Sequence, residues 1–248
     1  MDETSTPQLK KRGPARSLDE ARIVDAALEL LDRGGPAALG IRGVAARLGV
    51  RPNALYTYVT DRAALERALA ERVLSLADVA TLAAPGRGWR ERIQDYGLGL
   101  RATLLQHPGA ASLLTTAPMD GPTAVVVGEL LMAALEEAGL APEDAARATY
   151  LLIVQVIGSV ALDVAETDGH APLQDETVRI AARRQAFDGL DPASLPRTTA
   201  VVDVMASWVG ETQFRWALDT ILDGIAARAA TSATPVVSAR SATSAPHP

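Results

Sequence analysis

The sequence predicts an all-α protein, and three observations carry that prediction. Aromatic residues make up only 4% of the chain, while Ala, Leu and Val dominate a hydrophobic fraction of 48%, a composition that favours helices over a sheet. Apolar residues recur at three- and four-residue spacing along most of the chain. Gly and Pro fall at the ends of those stretches, where helices stop and start. Two units are expected. Residues 17–77 form an N-terminal three-helix head with a helix-turn-helix at 40–59, and residues 78–230 form a larger helical body. Residues 1–16 read as a disordered basic arm carrying Lys10, Lys11, Arg12 and Arg16, and residues 231–248 as a disordered Ser/Ala/Pro-rich tail.

The elements follow in order. Ser17-Leu18-Asp19-Glu20 has the form of a capping box, so the first helix starts there, buries Ile23, Ala27, Leu30 and Leu31, and stops at Gly34-Gly35. In Ile41 to Leu48, Val44, Ala45 and Leu48 mark an apolar side. Gly49 closes this helix because glycine takes the left-handed conformation that a sharp turn needs, and Ala45 is small enough for close packing. Gly40 supplies no capping side chain at the start. Pro52 opens the next short helix, expected to run to Tyr58, with Val50 packing on Leu55 and with Leu55 and Val59 inward. Asp61 caps a fourth helix striped by Leu65, Leu69, Val73 and Leu76 and reaching about Ala80.

The body begins after the Ala84 to Gly88 break. A helix over Trp89 to Gln106 turns Ile93, Tyr96, Leu100 and Leu104 inward and is halted by His107-Pro108. Gly97 and Gly99 inside it predict close approach by a neighbour. A short helix over Ala110 to Thr115, one over Thr123 to Ala138 and a long one from Pro142 to about Glu166 follow. The last is apolar on nearly every side from Tyr150 to Val164 and so requires more than one covering neighbour. Residues 167–195 read as an irregular connection around a short helix, Glu176 to Phe187. A helix of about ten residues from Arg197 precedes the final one, Glu211 to Ala229, whose apolar face holds Phe214, Leu218, Ile221, Leu222 and Ile225.

The outward set on the second helix of the turn is unusual for a plain surface. Arg51, Asn53, Tyr56, Thr57 and Tyr58 are the residue types that meet base edges and phosphates when a recognition helix enters the major groove. Arg42 on the preceding helix and Arg62 at the start of the next are placed for phosphates, and Pro52 opens the helix that carries the ridge. Charge agrees in direction: through Arg72 there are 12 basic and 10 acidic residues, against 12 and 20 beyond it, for a net −6. DNA contact is therefore expected at the N-terminal end. The basic arm either stays in solvent or lies along a groove or the phosphates.

At Leu48 to Val59, continued by Asp61-Arg62-Ala63-Ala64-Leu65, the chain resembles the DNA-binding domain of the tetracycline-repressor (TetR) family of transcriptional regulators. Gly88-Trp89-Arg90, the His107-Pro108-Gly109 stop and the Phe214, Leu218, Leu222, Ala226 spacing resemble the regulatory domain of the tetracycline-repressor branch. The resemblance implies a homodimer through helices 142–166 and 211–229, binding a palindromic double-stranded DNA operator. It implies recognition helices about 34–36 Å apart, and a small-molecule effector that enters the body, shifts the fourth helix and releases DNA. Repression is the family default. The effector-facing candidates are Tyr96, Leu100, Thr103, Gln155 and Ser159, polar or apolar groups on inward helix faces.

Tetracycline-binding members hold a magnesium–drug complex with a histidine just after the fifth helix. Ala111 to Thr116 holds none, so no metal site and no cofactor are expected. The cysteine-free chain carries no thiol ligand or disulfide. No HExxH, phosphate loop or GxSxG pattern occurs, and His107, His170 and His247 stand apart, so the protein is not expected to be an enzyme. The uncharged run Ala148 to Leu162 is shorter than the roughly 20 residues a span needs, and the N-terminus lacks an apolar core, which predicts a cytoplasmic protein without membrane association. The alternative is a helical ligand-binding or scaffold protein whose helix-turn-helix does not contact DNA.

Overall fold

A computed structural model describes residues 18–165, 167 and 170–232, and every regular element among them is helical. Ser17, the basic arm and residues 233–248 lie outside the described residues. The head contains α1 (Glu20–Ala38), α2 (Ile41–Leu48) and α3 (Pro52–Leu55). α1 is capped by Asp19, whose carboxylate accepts from the Arg22 N–H at 2.8 Å; the expected capping box begins at Ser17, outside the described residues. Its chain passes the expected stop at Gly34-Gly35 through a kink at Gly35 (φ 61°) and adds a last turn to Ala38. Ile23, Ala27 and Leu31 are fully buried, as the spacing predicts.

Gly49 ends α2 in the left-handed region (φ 68°), and the N–H of Val50 donates back to the Ala45 carbonyl at 3.0 Å. A Cβ-bearing residue would be strained there, so the glycine sets the corner between α2 and α3. α3 is shorter than the expected Pro52 to Tyr58: it closes at Leu55, and the chain continues as a turn in which Tyr58 and Val59 N–H groups both donate to the Leu55 carbonyl. Leu55 and Val59 are buried, anchoring both ends of the turn.

Asp61 caps α4 (Arg62–Leu76), accepting from the Ala64 N–H. This helix ends four residues before the expected Ala80 and gives way to a 3-10 turn over Val79–Ala83. Leu65, Leu69 and Val73 are buried, whereas Leu76 at the last position of the helix is exposed. α5 (Trp89–Gln106) has the expected bounds and buries Ile93, Tyr96, Leu100 and Leu104. At Gly97 a Cβ would stand 3.3 Å from Leu218 Cδ2, the close approach that glycine permits, but nothing lies near Gly99.

The body is completed by α6 (Pro108–Leu114), α7 (Pro122–Glu137), α8 (Pro142–Ala165) and α12 (Glu211–Ser232), with an outer limb of α9 (Glu176–Gln185), α10 (Pro196–Ala200) and α11 (Val202–Ala206) between them. The ten-residue helix expected from Arg197 is instead α10, α11 and a 3-10 turn over Ser207–Val209. α12 runs past Ala229 into the segment expected to be disordered. The 24-residue α8 is long and apolar enough to cross a membrane, which corrects the shorter count from its uncharged core. It is nevertheless a core helix: Leu152, Val156 and Val160 are buried, and it packs against α5, α6, α7 and α12.

Head and body meet on two sides. α6 crosses α1 so closely that a Cβ on Gly109 would lie 2.8 Å from Leu31 Cγ. Beside this contact His107 Nδ1 stands 2.9 Å from Asp32 Oδ2. On the other side α4 holds the start of α7. Arg67 pairs with Asp120 at 3.2 Å, and the Glu71 carboxylate accepts from the Thr123 N–H at 2.7 Å, satisfying one of the amides a helix start leaves open.

Candidate nucleic-acid interface and ligand cavity

The ridge on the head is built by two buried anchors and the groups they push outward. With Leu55 and Val59 inside, Arg51, Pro52, Asn53, Tyr56, Thr57 and Tyr58 are all exposed, Tyr56 by 51%. Arg51 precedes the helix in extended conformation and Pro52 takes its first position. Arg42 is exposed on α2. Arg42, Arg51 and Asn53 carry no side-chain hydrogen bond or ion pair within the described residues, so their donors face water. Solvated donors on a short, rigid turn are available to phosphates and base edges without breaking any internal contact.

Two of the expected DNA-facing residues are engaged inside the head. The Tyr58 hydroxyl donates to the Leu18 carbonyl at 2.8 Å, fastening the ridge to the start of α1. Arg62 is not a free cation. Its Nε donates to Glu66 at 2.7 Å and its Nη1 to the Leu39 carbonyl at 3.1 Å, because the first turn of α4 faces the end of α1. Arg47, on the same helix as Arg42, pairs with Glu29.

In the body a cavity of about 130 Å³ lies among α5, α7, α8 and α12. Its wall consists of Leu74 from α4, Ile93, Tyr96, Gly97 and Leu100 from α5, Met119, Ala124, Val127 and Leu131 at and within α7, Leu152, Ile153, Val156 and Ile157 from α8, and Leu218 from α12. Met119 is the exposed member and marks the outward side. Tyr96 is buried, its hydroxyl lacks a partner, and burial pushes its phenol up to about 12. It therefore remains neutral across physiological pH.

Of the five expected effector-facing residues, the cavity brings together Tyr96 and Leu100 only. Thr103 lies one turn too far along α5, and its hydroxyl donates to the Gly99 carbonyl at 3.0 Å. Gln155 and Ser159 are on the opposite side of α8, along an outer groove with Leu151, Val154 and Trp208. The helical period sets them roughly opposite Ile153 and Ile157, which line the cavity.

The sequence reading did not single out the buried charge pair behind this wall. Arg101 on α5 and Asp163 on α8 are each 4% exposed and meet at 2.8 Å, with Arg101 also stacked 5.5 Å from the Phe214 ring centre. Burial pushes the Asp163 carboxyl up to about 6, partly offset by the Arg101 guanidinium. The available signal was the placement of both charges within apolar helix faces, Arg101 beside Leu100 and Asp163 between Leu162 and Val164. Such charges are expected to find each other.

A helix-turn-helix head joined through one shared helix to a helical body with an internal cavity is the build of a regulatory protein. Comparison identifies which. Residues 23–69 match the family described as bacterial regulatory proteins, tetR family, and residues 82–229 match the tetracyclin repressor-like C-terminal domain. The chain belongs to the tetR family of bacterial regulatory proteins. An HTH-type transcriptional regulator from Saccharopolyspora erythraea is 36% identical over 152 residues, which cover 59% of this chain and 61% of that protein's length. A possible TetR family transcriptional regulator from Streptomyces coelicolor A3(2) is similar at 31% identity and TM-score 0.73, over 85% of this chain and 100% of that one. ActR from Streptomyces coelicolor, solved in complex with actinorhodin, is similar at 28% identity and TM-score 0.73, over 86% and 99% of the two chains.

Proposed function

We propose that the protein is a ligand-responsive transcriptional repressor that binds a palindromic operator as a homodimer and leaves it when a small molecule occupies the cavity. The observation that carries this reading is the solvated ridge of Arg51, Asn53, Tyr56 and Thr57, held outward by the buried Leu55 and Val59. Arg42 and Arg51 contact phosphates or base edges, Asn53 reads a base, and Pro52 sets the angle of the turn. Tyr58 and Arg62 act as positioning residues through their bonds to Leu18 and Leu39. Working on DNA, the protein operates in the cytoplasm and performs no catalysis.

Dimerisation is supported by the apolar side chains that the single chain leaves in water on α8 and α12. Tyr150, Leu162 and Trp216 are 70%, 71% and 64% exposed. A self-complementary pairing of 142–166 and 211–229 covers them and sets two ridges on one side of a duplex. Coupling to the cavity runs through α4. Leu74 is part of the wall, and Arg67 and Glu71 hold the loop and first turn of α7, whose Ala124 and Val127 are also wall residues. A molecule that displaces the start of α7 therefore displaces α4, to which the head is attached.

The test is a mobility-shift titration of the protein on DNA from its own promoter region. A salt-sensitive, sequence-dependent shift that is lost in Arg51→Ala/Asn53→Ala, with the dimer intact by light scattering, supports the reading. No such shift, with a folded dimer, returns the protein to the scaffold class.

A further inference from the structure

The start of α7 is capped by a residue from another helix. Gly121 stands at the capping position and offers no side chain, and Pro122 has no N–H, so the first amide of the helix is that of Thr123. Glu71 of α4 takes it. Its Oε1 accepts from the Thr123 N–H at 2.7 Å, and its Oε2 is buried beside Gly121 without a partner among the described residues. A carboxylate at a helix start also meets the positive end of the helix dipole. Glycine is needed at 121 for this contact, because a Cβ there would stand 2.9 Å from the Glu71 carboxyl carbon and push the group out.

One face of α4 carries the whole link. Arg67, Glu71 and Leu74 follow at helical spacing and meet Asp120, the Thr123 amide and the cavity in turn. Arg67 and Asp120 are both more than half exposed, so water screens their pair, whereas Glu71 Oε2 is buried. Towards the head, Leu65 and Leu69 of the same helix are fully buried, and α4 packs on α1. Beyond the cap, Ala124 and Val127 of α7 line the cavity. Among the described residues, α1 and α6, which make the other contact between head and body, contribute nothing to the cavity wall.

We propose that Glu71 is a positioning residue for the DNA response: by capping α7 from α4, it makes the head and the wall residues Ala124 and Val127 shift together. This role deepens, and rests on, the proposed repressor function. Free and DNA-bound arrangements of the head are then linked to two arrangements of the wall. The link is reciprocal, so an effect of the cavity on the head implies an equal effect of DNA on the wall. DNA can therefore serve as the probe in place of the effector. A second cap of the same build supplies a control. Glu176 of α9 accepts from the Glu211 N–H of α12 at 3.0 Å, beside Gly210, where a Cβ would stand 2.9 Å from its Oε1. It joins two elements of the body and none of the head.

The experiment is hydrogen exchange by mass spectrometry on the full chain, with and without a fragment of its own promoter region that gives a specific mobility shift. In the parent, DNA is expected to slow exchange across Ala124 to Leu131 by about 5-fold or more, the lower end of ordinary coupling between sites. In Glu71→Ala this response is expected to disappear, whereas Glu176→Ala keeps it. Loss of a cap by itself speeds exchange without DNA, so the deciding variant is Glu71→Ala/Gly121→Ser. The backbone at 121 is extended (φ −77°, ψ 167°), as a serine cap requires, so this variant regains a cap on α7 but not the tie to α4. It is expected to unfold at the parent's denaturant midpoint and still to lack the response to DNA. A response that persists in Glu71→Ala, returns in the double variant or is lost equally in Glu176→Ala would overturn the inference, as would a parent whose wall does not respond to bound DNA. Absence of any specific shift, seen before exchange is measured, overturns the repressor function and the inference together.

Discussion

Head and body both leave polar groups without internal partners, in opposite surroundings. In the head, Arg42, Arg51 and Asn53 face water, where an unpaired donor is already satisfied. In the body, the Tyr96 hydroxyl and Arg101 Nε are buried without a hydrogen-bond partner. An unpaired group in water says only that a surface is available, because nothing is lost while it waits. The same group buried away from water is held at a continuing loss. The proposed DNA-facing ridge therefore rests on a pattern of many exposed groups, whereas in the body a single buried group stands out.

The sharpest way to break this comparison is to unpair a charge on the buried side. Arg101→Ala strips the buried Asp163 carboxyl of its hydrogen-bonded partner, and is expected to cost about 3–5 kcal/mol in urea unfolding. Arg101→Met combined with Asp163→Leu, which removes both charges, is expected to lie much nearer the parent. If the single and double variants unfold alike, the pair is not the buried unit that its 2.8 Å contact describes.

The pH dependence of the same pair comes next in size. Asp163 is raised from its ordinary 3.8 to about 6 by burial, against the opposing pull of Arg101. The folded state thus binds this proton more tightly than the unfolded chain does. Its contribution to stability is present below about 4 and is lost as pH rises through about 6, on the order of 3 kcal/mol. Exposed carboxylates impose their own pH dependence, so the measurement is a difference. Between pH 4 and pH 7 the parent should lose more stability than Asp163→Asn, and equal losses would remove the carboxyl as the cause.

On the exposed side the expected effects change character. Arg51→Ala and Asn53→Ala should leave unfolding within about 0.5 kcal/mol of the parent. Each should weaken specific operator binding by about 1–3 kcal/mol, the worth of a good base contact. Asn53→Ala should relax discrimination at one base position, whereas loss of a phosphate contact at Arg42 should weaken all sequences alike and lower the salt slope by about one.

Much of this contrast was legible in the residues, and unevenly. The head was readable because its signals are local: Asp61 caps the helix it precedes, Gly49 ends the helix it follows, and Leu55 and Val59 alternate with the ridge they expose. α5 was readable to the residue, since His107-Pro108 stops it. The cavity was half readable. Tyr96 and Leu100 sit on the inward stripe of α5, but Gln155 and Ser159 were chosen for polarity and not for phase, and the phase of α8 turns Ile153 and Ile157 to the cavity instead. What stayed hidden was every partnership across elements, including Arg101 with Asp163 and Glu71 with the start of α7. Such pairs depend on how helices cross, and spacing within one helix carries no record of it. Arg62 shows the same limit, since its carbonyl partner comes from Leu39, 23 residues away.

The smallest effect expected is at Tyr58, and it separates a reader of DNA from a support for one. Its ring is 41% exposed, as a DNA-contacting residue should be, yet its hydroxyl donates to the Leu18 carbonyl at 2.8 Å. A hydroxyl engaged in this way gains little by turning to a phosphate, since one bond replaces another. Tyr58→Phe is therefore expected to lower stability by about 0.5–1 kcal/mol, the net worth of an ordinary hydrogen bond. Operator affinity should change no more than about 3-fold, less than one such bond. A tenfold loss of affinity with stability unchanged would mean that the hydroxyl leaves Leu18 on binding and contacts the duplex itself. Tyr56→Phe is the matched control, because the Tyr56 hydroxyl has no such tether, and an effect confined to Tyr58→Phe in unfolding assigns the bond its supporting role.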